Sequence, residues 1–297
     1  MRHVYECPVR WADLDALGHV NNVVYVDYLQ EARVDMFRSH RVELMGQELV
    51  EGLVVARTQV RYVEPLMFRF EPVRIDCWVT EVRAASFTLA YEVYDERPDG
   101  SRRLYLTATT ELTLYVFAEE RPRRLTAEEK AVLEGHRDPD AEPLERAPQR
   151  TPAHRLEVGH YPVQVRFSDV DVYGHVNNVK YFEYLQEARI AMMGRLWEEV
   201  PGETGRSSLV VAQVDVDYKV PILHRAAAYD AWTWVSHVGS TSLVMETEIV
   251  DASDPDREVL LARARVVLVF FDPASGRPRR PDDDIRAPLL EVMSPSC

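Results

Sequence analysis

Cysteine is scarce: Cys7, Cys77 and Cys297 are the only three in 297 residues. They are odd in number and far apart, which excludes a disulfide framework and matches no zinc-ligand spacing. No apolar run approaches the ~20 residues of a membrane-spanning helix. The opening MRHVYECPVRW has no apolar signal-peptide core, so a cytoplasmic protein is expected. Basic residues are in deficit, 35 against 49 acidic, giving a formal charge of −14. That balance excludes a general nucleic-acid or anionic-membrane surface. Neither a GxGxxG or P-loop fingerprint nor a GxSxG elbow is present.

What the chain does contain is a long text written twice. Val9–Phe37 reads VRWADLDALGHVNNVVYVDYLQEARVDMF and Val165–Met193 reads VRFSDVDVYGHVNNVKYFEYLQEARIAMM, matching at 18 of 29 positions without a gap. The 156-residue offset recurs at Val60, Tyr62 and Pro65 against Val216, Tyr218 and Pro221, and at RPRR, Arg121–Arg124 against Arg277–Arg280. A period of this size is a domain rather than a solenoid unit. The expectation is a first domain over 1–137, a Pro-rich charged linker over 138–154 and a second domain over 155–297. One length change between copies is expected at the last strand connection, where ERPDGSRR stands in the first.

Within a repeat, an extended stretch over Arg2–Trp11 leads to a polar connector, Asp13–Asn22. From Val23 the apolar spacing turns helical, with Tyr25, Tyr28, Leu29, Ala32 and Met36 on one face, repeated by Tyr181, Tyr184, Leu185, Ala188 and Met192. Asn21 and Asn22, like Asn177 and Asn178, stand where a side-chain N-cap belongs. Strand-like stretches follow at Leu53–Val63, Val73–Val82, Ser86–Tyr94 and Arg103–Phe117, then a short helical piece, LTAEEKAVLEGH. One long helix followed by strands with short connections predicts an α+β unit in which an antiparallel sheet covers the helix.

The connector places Asp13, Asp15, Gly18, His19, Asn21 and Asn22 at a helix N-terminus, and the second copy repeats them. Such an end offers unpaired N–H groups and about half a positive charge, suited to a developing oxyanion. A carboxylate beside oxyanion donors points to acyl transfer or hydrolysis.

DxDxxGHVNNxxYxxYLxEAR, present twice, resembles the signature of hotdog-fold thioesterases of the 4-hydroxybenzoyl-CoA thioesterase type, and is similar to the matching segment of acyl-ACP thioesterases. The resemblance implies a tandem double hotdog: in each repeat a long helix wrapped by a curved antiparallel sheet, with the two domains paired within the chain. It implies thioester hydrolysis with Asp15 and Asp171 as nucleophile or general base, and the Asn22 and Asn178 backbone amides polarising the carbonyl. His19 and His175 fall on the active-segment histidine of the acyl-ACP enzymes, although the Asn those enzymes carry two residues earlier is Leu17 or Tyr173 here. The substrate would be acyl-CoA or acyl-ACP, with coenzyme A as part of the substrate and neither cofactor nor metal required. Further homo-oligomerisation is left open.

Other roles compete for the same residues. Asp13 and Asp169 brace the turn as readily as they react. Glu31 and Glu187 lie nine residues beyond Asn22 and Asn178, about 13 Å along a helix, and suit an ion pair with Arg33 or Arg189. Tyr25, Tyr181, Ser86 and Ser242 are candidates for substrate contact, and Arg61, Lys219 and the RPRR copies for coenzyme A phosphates. A non-catalytic acyl-thioester-binding module and a related lyase are the alternative functions.

Overall fold

The structure, a computed structural model, describes residues 2–40, 51–119, 121–140, 150–198, 209–254, 256–272 and 274–294. Its contacts divide it into two compact units, Met1–Arg146 and Ala147–Cys297. Residues 141–149 of the expected linker and Cys297 lie outside the described residues.

In unit 1, β1 (His3–Cys7) and a 3₁₀ turn (Trp11–Asp13) precede the long helix α1 (Val24–Ser39). Then come β2 (Glu51–Tyr62), β3 (Val73–Val82), β4 (Ser86–Glu96), β5 (Arg102–Val116), the two-residue β6 (Arg121–Pro122) and α2 (Ala127–Gly135). The strands pair antiparallel in the order β1-β3-β4-β5-β2, with β6 on β5. Unit 2 repeats the plan with β7 (His160–Val163), α3 (Lys180–Leu196), β8 (Leu209–Tyr218), β9 (Tyr229–Val238), β10 (Ser242–Asp251), β11 (Val259–Asp272), β12 (Arg277–Pro278) and α4 (Asp283–Glu291). Its order is β7-β9-β10-β11-β8, with β12 on β11.

The helical spacing read from the sequence is the face that packs. Tyr25, Tyr28, Leu29, Ala32 and Met36 are buried, as are Tyr181, Tyr184, Leu185, Ala188 and Met192. α1 rests on β1 and β3, and α3 on β7, β9 and β10. On β5 and β11 buried residues alternate with less buried ones, the period-2 mark of a sheet with one packed face.

Three details differ from the sequence expectation. The extended stretch over Arg2–Trp11 ends early, because the Asp13 carboxylate accepts the Arg10 N–H at 2.8 Å and curls Trp11–Asp13 into the 3₁₀ turn. The expected length change is absent: register breaks at Ala56, Thr80 and Tyr105 recur at Ala212, Ser236 and Leu261, and α4 follows α2, all at the same offset. An extra residue on one strand bends it and strengthens its twist, so both units bend at matching places. The described ends of the linker segment are also tied down, each to its own unit. Arg2 Nε donates to Asp138 at 3.0 Å, Thr151 N and Oγ1 donate to Glu246 at 3.1 and 2.9 Å, and Arg155 pairs with Glu248 at 2.9 Å.

What joins the connector to the long helix is a buried carboxylate. Asp13 is 3% exposed and accepts from the Tyr28 hydroxyl, from Arg10 N and from Arg10 Nε at 3.0 Å. Asp169, equally buried, accepts from Tyr184 Oη at 2.6 Å and Arg166 N at 2.9 Å. Burial, and then the bond to the carboxylate, push both phenols well above the usual tyrosine range. Tyr28 and Tyr184 therefore act as fixed donors. Asp13→Ala and Asp169→Ala would strand a phenol and the backbone N–H, costing about 2–4 kcal/mol each. Urea unfolding should show the lowered midpoint, and adding Tyr28→Phe to Asp13→Ala should cost less than the sum of the single changes.

Candidate functional site

After the 3₁₀ turn the chain doubles back in a short ladder. Asn21 N–H donates to Asp13 O at 2.8 Å, Leu14 bridges Val20, and Asp15 N–H donates to His19 O at 2.8 Å. The tip closes with Gly18 N–H on Asp15 O at 3.0 Å, with Gly18 at φ +75°. Only glycine takes that left-handed conformation without steric cost. The second ladder has Asn177 on Asp169 at 2.8 Å, Asp171 on His175 at 2.8 Å, and Gly174 at φ +81°.

The ladder aims the second aspartate differently from the first. Asp15 is half-buried, and its Oδ1 accepts from Leu17 N at 2.8 Å and His19 N at 3.1 Å. Asp171 Oδ1 accepts from Tyr173 N at 2.9 Å. Among the described residues neither Oδ2 meets a protein donor, so each carboxylate is steered through one oxygen and keeps the other available.

The helix start lies one residue past the ladder. Asn21 O accepts from Val24 N at 3.0 Å and Asn177 O from Lys180 N at 2.9 Å. In a trans peptide C=O and N–H point in opposite directions. Because the Asn21 carbonyl faces into the first turn, the N–H of the same peptide, that of Asn22, faces outward from the helix end. Among the described residues no acceptor meets the Asn22 or Asn178 N–H. The expected side-chain caps are corrected here: the N-cap position is Val23 or Val179, and it is Asn21 and Asn177 that accept, through Oδ1, from Val23 N and Val179 N at 3.3 Å. Asn22 and Asn178 leave the capping to their neighbours.

Two tyrosines given no role in the sequence reading hold the other side of this residue. Tyr62 Oη donates to Asn22 O at 2.7 Å and Tyr218 Oη to Asn178 O at 3.1 Å. Their rings meet Tyr25 and Tyr181 edge-on, with centroids 5.7 and 5.0 Å apart. The shared offset was the only sequence signal for this anchor. Tyr25 and Tyr181, expected to contact substrate, are both buried, and the Tyr181 hydroxyl accepts from Ile222 N at 3.0 Å. Burial first, then the charge of a neighbouring tyrosine and of Asp15 or Asp171, raise both phenols, while a backbone bond opposes the rise. Each aspartate thus lies within electrostatic reach of the first turn of its helix.

The histidines belong to the same loop. His19 bridges Met67 and His175 bridges Leu223, which ties the segment after β2 or β8 alongside. Ser86 and Ser242 are not brought to the aspartate of their own unit. Ser86 pairs across β5 with Thr113, which pairs with Val54, roughly 25 Å along β2 from Tyr62 at the rise of a strand. Arg61 and Lys219 are exposed neighbours of the anchoring tyrosines. In the RPRR copies Arg123 pairs with Glu129 of α2 at 2.7 Å and Arg279 with Asp282, just ahead of α4, at 3.1 Å. Arg33 is buried, and its charge lies beside Cys77 and Tyr91 rather than with exposed Glu31. The Cys7 thiol is pushed up to about 12, chiefly by burial, and Cys77 is raised by burial as well. Both thiols are poor nucleophiles at neutral pH. Among the described residues no helix is long and apolar enough to cross a membrane.

The family model of the thioesterase-like superfamily matches twice, over residues 9–134 and 165–289. YsmA of Bacillus subtilis, itself uncharacterised, is 36% identical over 86 residues, 28% of this chain and 54% of its own length, so the match spans about half of that relative. The acyl-CoA thioester hydrolase YbgC of Escherichia coli is 28% identical over 120 residues, 40% of this chain and 86% of its own. Among solved structures, a provisionally assigned oleoyl thioesterase from Lactobacillus plantarum aligns with a TM-score of 0.69 at 16% identity, covering 92% of this chain and 97% of that one. An acyl-ACP thioesterase from Bacteroides thetaiotaomicron aligns at 0.65 and 15%, covering 90% and 97%. These likenesses show the fold, of the thioesterase hotdog type. With both repeats matched by the same model, the chain belongs to the thioesterase-like superfamily.

Proposed function

We propose that this thioester hydrolase cleaves acyl-CoA or acyl-ACP thioesters at two sites, one built on Asp15 and one on Asp171. The observation that carries the reading occurs in both units. A carboxylate held through one oxygen sits in the loop that ends at an outward-facing N–H, and among the described residues neither the other oxygen nor that N–H meets a protein partner. A thioester carbonyl set between them would meet a base or nucleophile on one side and the positive helix end on the other.

In the hydrolysis, Oδ2 takes a proton from water as the water attacks the carbonyl, or attacks the carbonyl itself to form an acyl-aspartate that water then opens. On either route the developing oxyanion is held by the Asn22 or Asn178 N–H. Collapse breaks the C–S bond, and the thiolate leaves with a proton to give thiol and free acid. His19 and His175, set on the ladder, orient the substrate. No step requires a cofactor or metal. Each sheet, bent at the repeated bulges, wraps its helix. The place of action is the cytoplasm, a reading supported by scarce cysteine with Cys7 and Cys77 free.

On a substrate both sites accept, Asp15→Asn and Asp171→Asn should each remove a part of the thiol release, and together they should remove at least about 100-fold. A double variant as fast as the wild type would rule these carboxylates out. The anchoring tyrosines give a second test. With unit 2 silenced by Asp171→Asn, Tyr62→Phe should lower kcat about fivefold, the worth of one lost hydrogen bond, with KM within about twofold. Tyr218→Phe should do the same in the Asp15→Asn background, and a shift in Tm alone with kcat intact would reduce the tyrosines to scaffold.

A further inference from the structure

We infer that the two sites differ in acyl selectivity, unit 1 taking apolar or aryl acyl groups and unit 2 taking acyl groups that end in a polar or anionic group. This rests on Asp15 and Asp171 being the reacting carboxylates.

The ground is a contrast between parts of the two loops that share one register. The machinery is duplicated residue for residue: Asp15 with Asp171, His19 with His175, Asn22 with Asn178, Tyr62 with Tyr218. The surface beside it is not. The bridges His19 to Met67 and His175 to Leu223 bring the segments 63–70 and 219–226 against the aspartate loops, so equivalent positions there border equivalent chemistry. In unit 1 that border carries an aromatic cluster, while its charged residues Glu64 and Arg69 are paired with Arg103 and Asp95. Trp11, Phe68 and Phe70 form a run of edge-on rings, 5.2 Å between centroids at each step, with Phe70 90% exposed and Leu17 59% exposed at the loop tip. Such a cluster left to solvent marks a surface made to cover something apolar.

In unit 2 Phe167, 85% exposed, keeps the place of Trp11, but the ring cluster beyond it is gone. Phe68 is replaced by His224, which keeps an edge contact of 6.1 Å with Phe167, Phe70 by Ala226, and Val63 by Lys219. Leu17 becomes Tyr173, half-buried, whose phenol is raised by burial and then by the charge of Asp171. A donor phenol on the Asp171 loop, with an imidazole and an ammonium on the segment bridged to that loop, suits a substrate carrying its own acceptor or anion, whereas a ring cluster gives such a group nothing to bond.

Hexanoyl-CoA and adipoyl-CoA separate the two surfaces, since they share chain length and carrier and differ by one terminal carboxylate. Thiol release should be measured for Asp171→Asn, which leaves the unit 1 site, and for Asp15→Asn, which leaves unit 2. The kcat/KM ratio of hexanoyl to adipoyl should be at least about tenfold higher for Asp171→Asn. Adding Lys219→Val and His224→Phe to Asp15→Asn should move its ratio toward that of unit 1. Ratios equal within about twofold, a ratio reversed between units, a unit inactive on both thioesters, or exchange variants that leave the ratio unmoved would each overturn the inference. Loss of the underlying hydrolase reading looks different: the wild type would then release thiol from neither substrate, or the double aspartate variant would retain full activity.

Discussion

A carboxylate without water needs partners, and at Asp13 and Asp169 the partners settle the geometry of everything downstream. Each is bound by a phenol from the second turn of the long helix and by the backbone three residues earlier, so one buried group connects strand exit, turn and helix. Removing an ion from water without such bonds costs far more than a domain can spare, which makes the arrangement close to all-or-none. Once Asp13 is pinned, its carbonyl accepts Asn21, the ladder closes, and the glycine tip fixes how far the chain advances before returning. Asp15 then has little freedom: the Leu17 and His19 N–H groups of its own turn both donate to its Oδ1.

The two aspartates of each pair are chemically identical, and only their surroundings separate them. One is buried and bound by several donors; the other has one oxygen satisfied by the backbone of its own turn and, among the described residues, no donor on the second. This explains why the helix face and the duplicated text were legible in sequence while the different surroundings of Asp13 and Asp15 were not. Helical spacing depends on neighbours three and four residues away, but Tyr28 is fifteen residues from Asp13 and Tyr62 forty from Asn22. Long-range partners leave no local pattern. The misplaced caps have a related cause, since in a tandem Asn pair either residue has the right chemistry and the carbonyl direction decides which accepts. The supposed length change arose because a Pro- and Gly-bearing connection reads as an insertion, whereas the bulges on either side, invisible in composition, keep the register.

The distribution of sameness and difference between the units follows from what backbone and side chain each contribute. Aspartate steering, the helix-end N–H and the ladder are mostly main-chain interactions, and they require only glycine at the tip, Asp where a carboxylate must accept, and Asn where the first turn must be capped. Those residues recur, as do the bulge positions that bend the sheets. A side chain that borders the carboxylate without joining the ladder can change without disturbing any of this. Leu17 and Tyr173 make the point: their backbone N–H groups both donate to the aspartate Oδ1, at 2.8 and 2.9 Å, while their side chains have opposite polarity. Loop geometry carried by the main chain and surface character carried by side chains can thus vary independently, so a duplicated domain of this construction can keep its loop and helix end while the side chains beside them diverge.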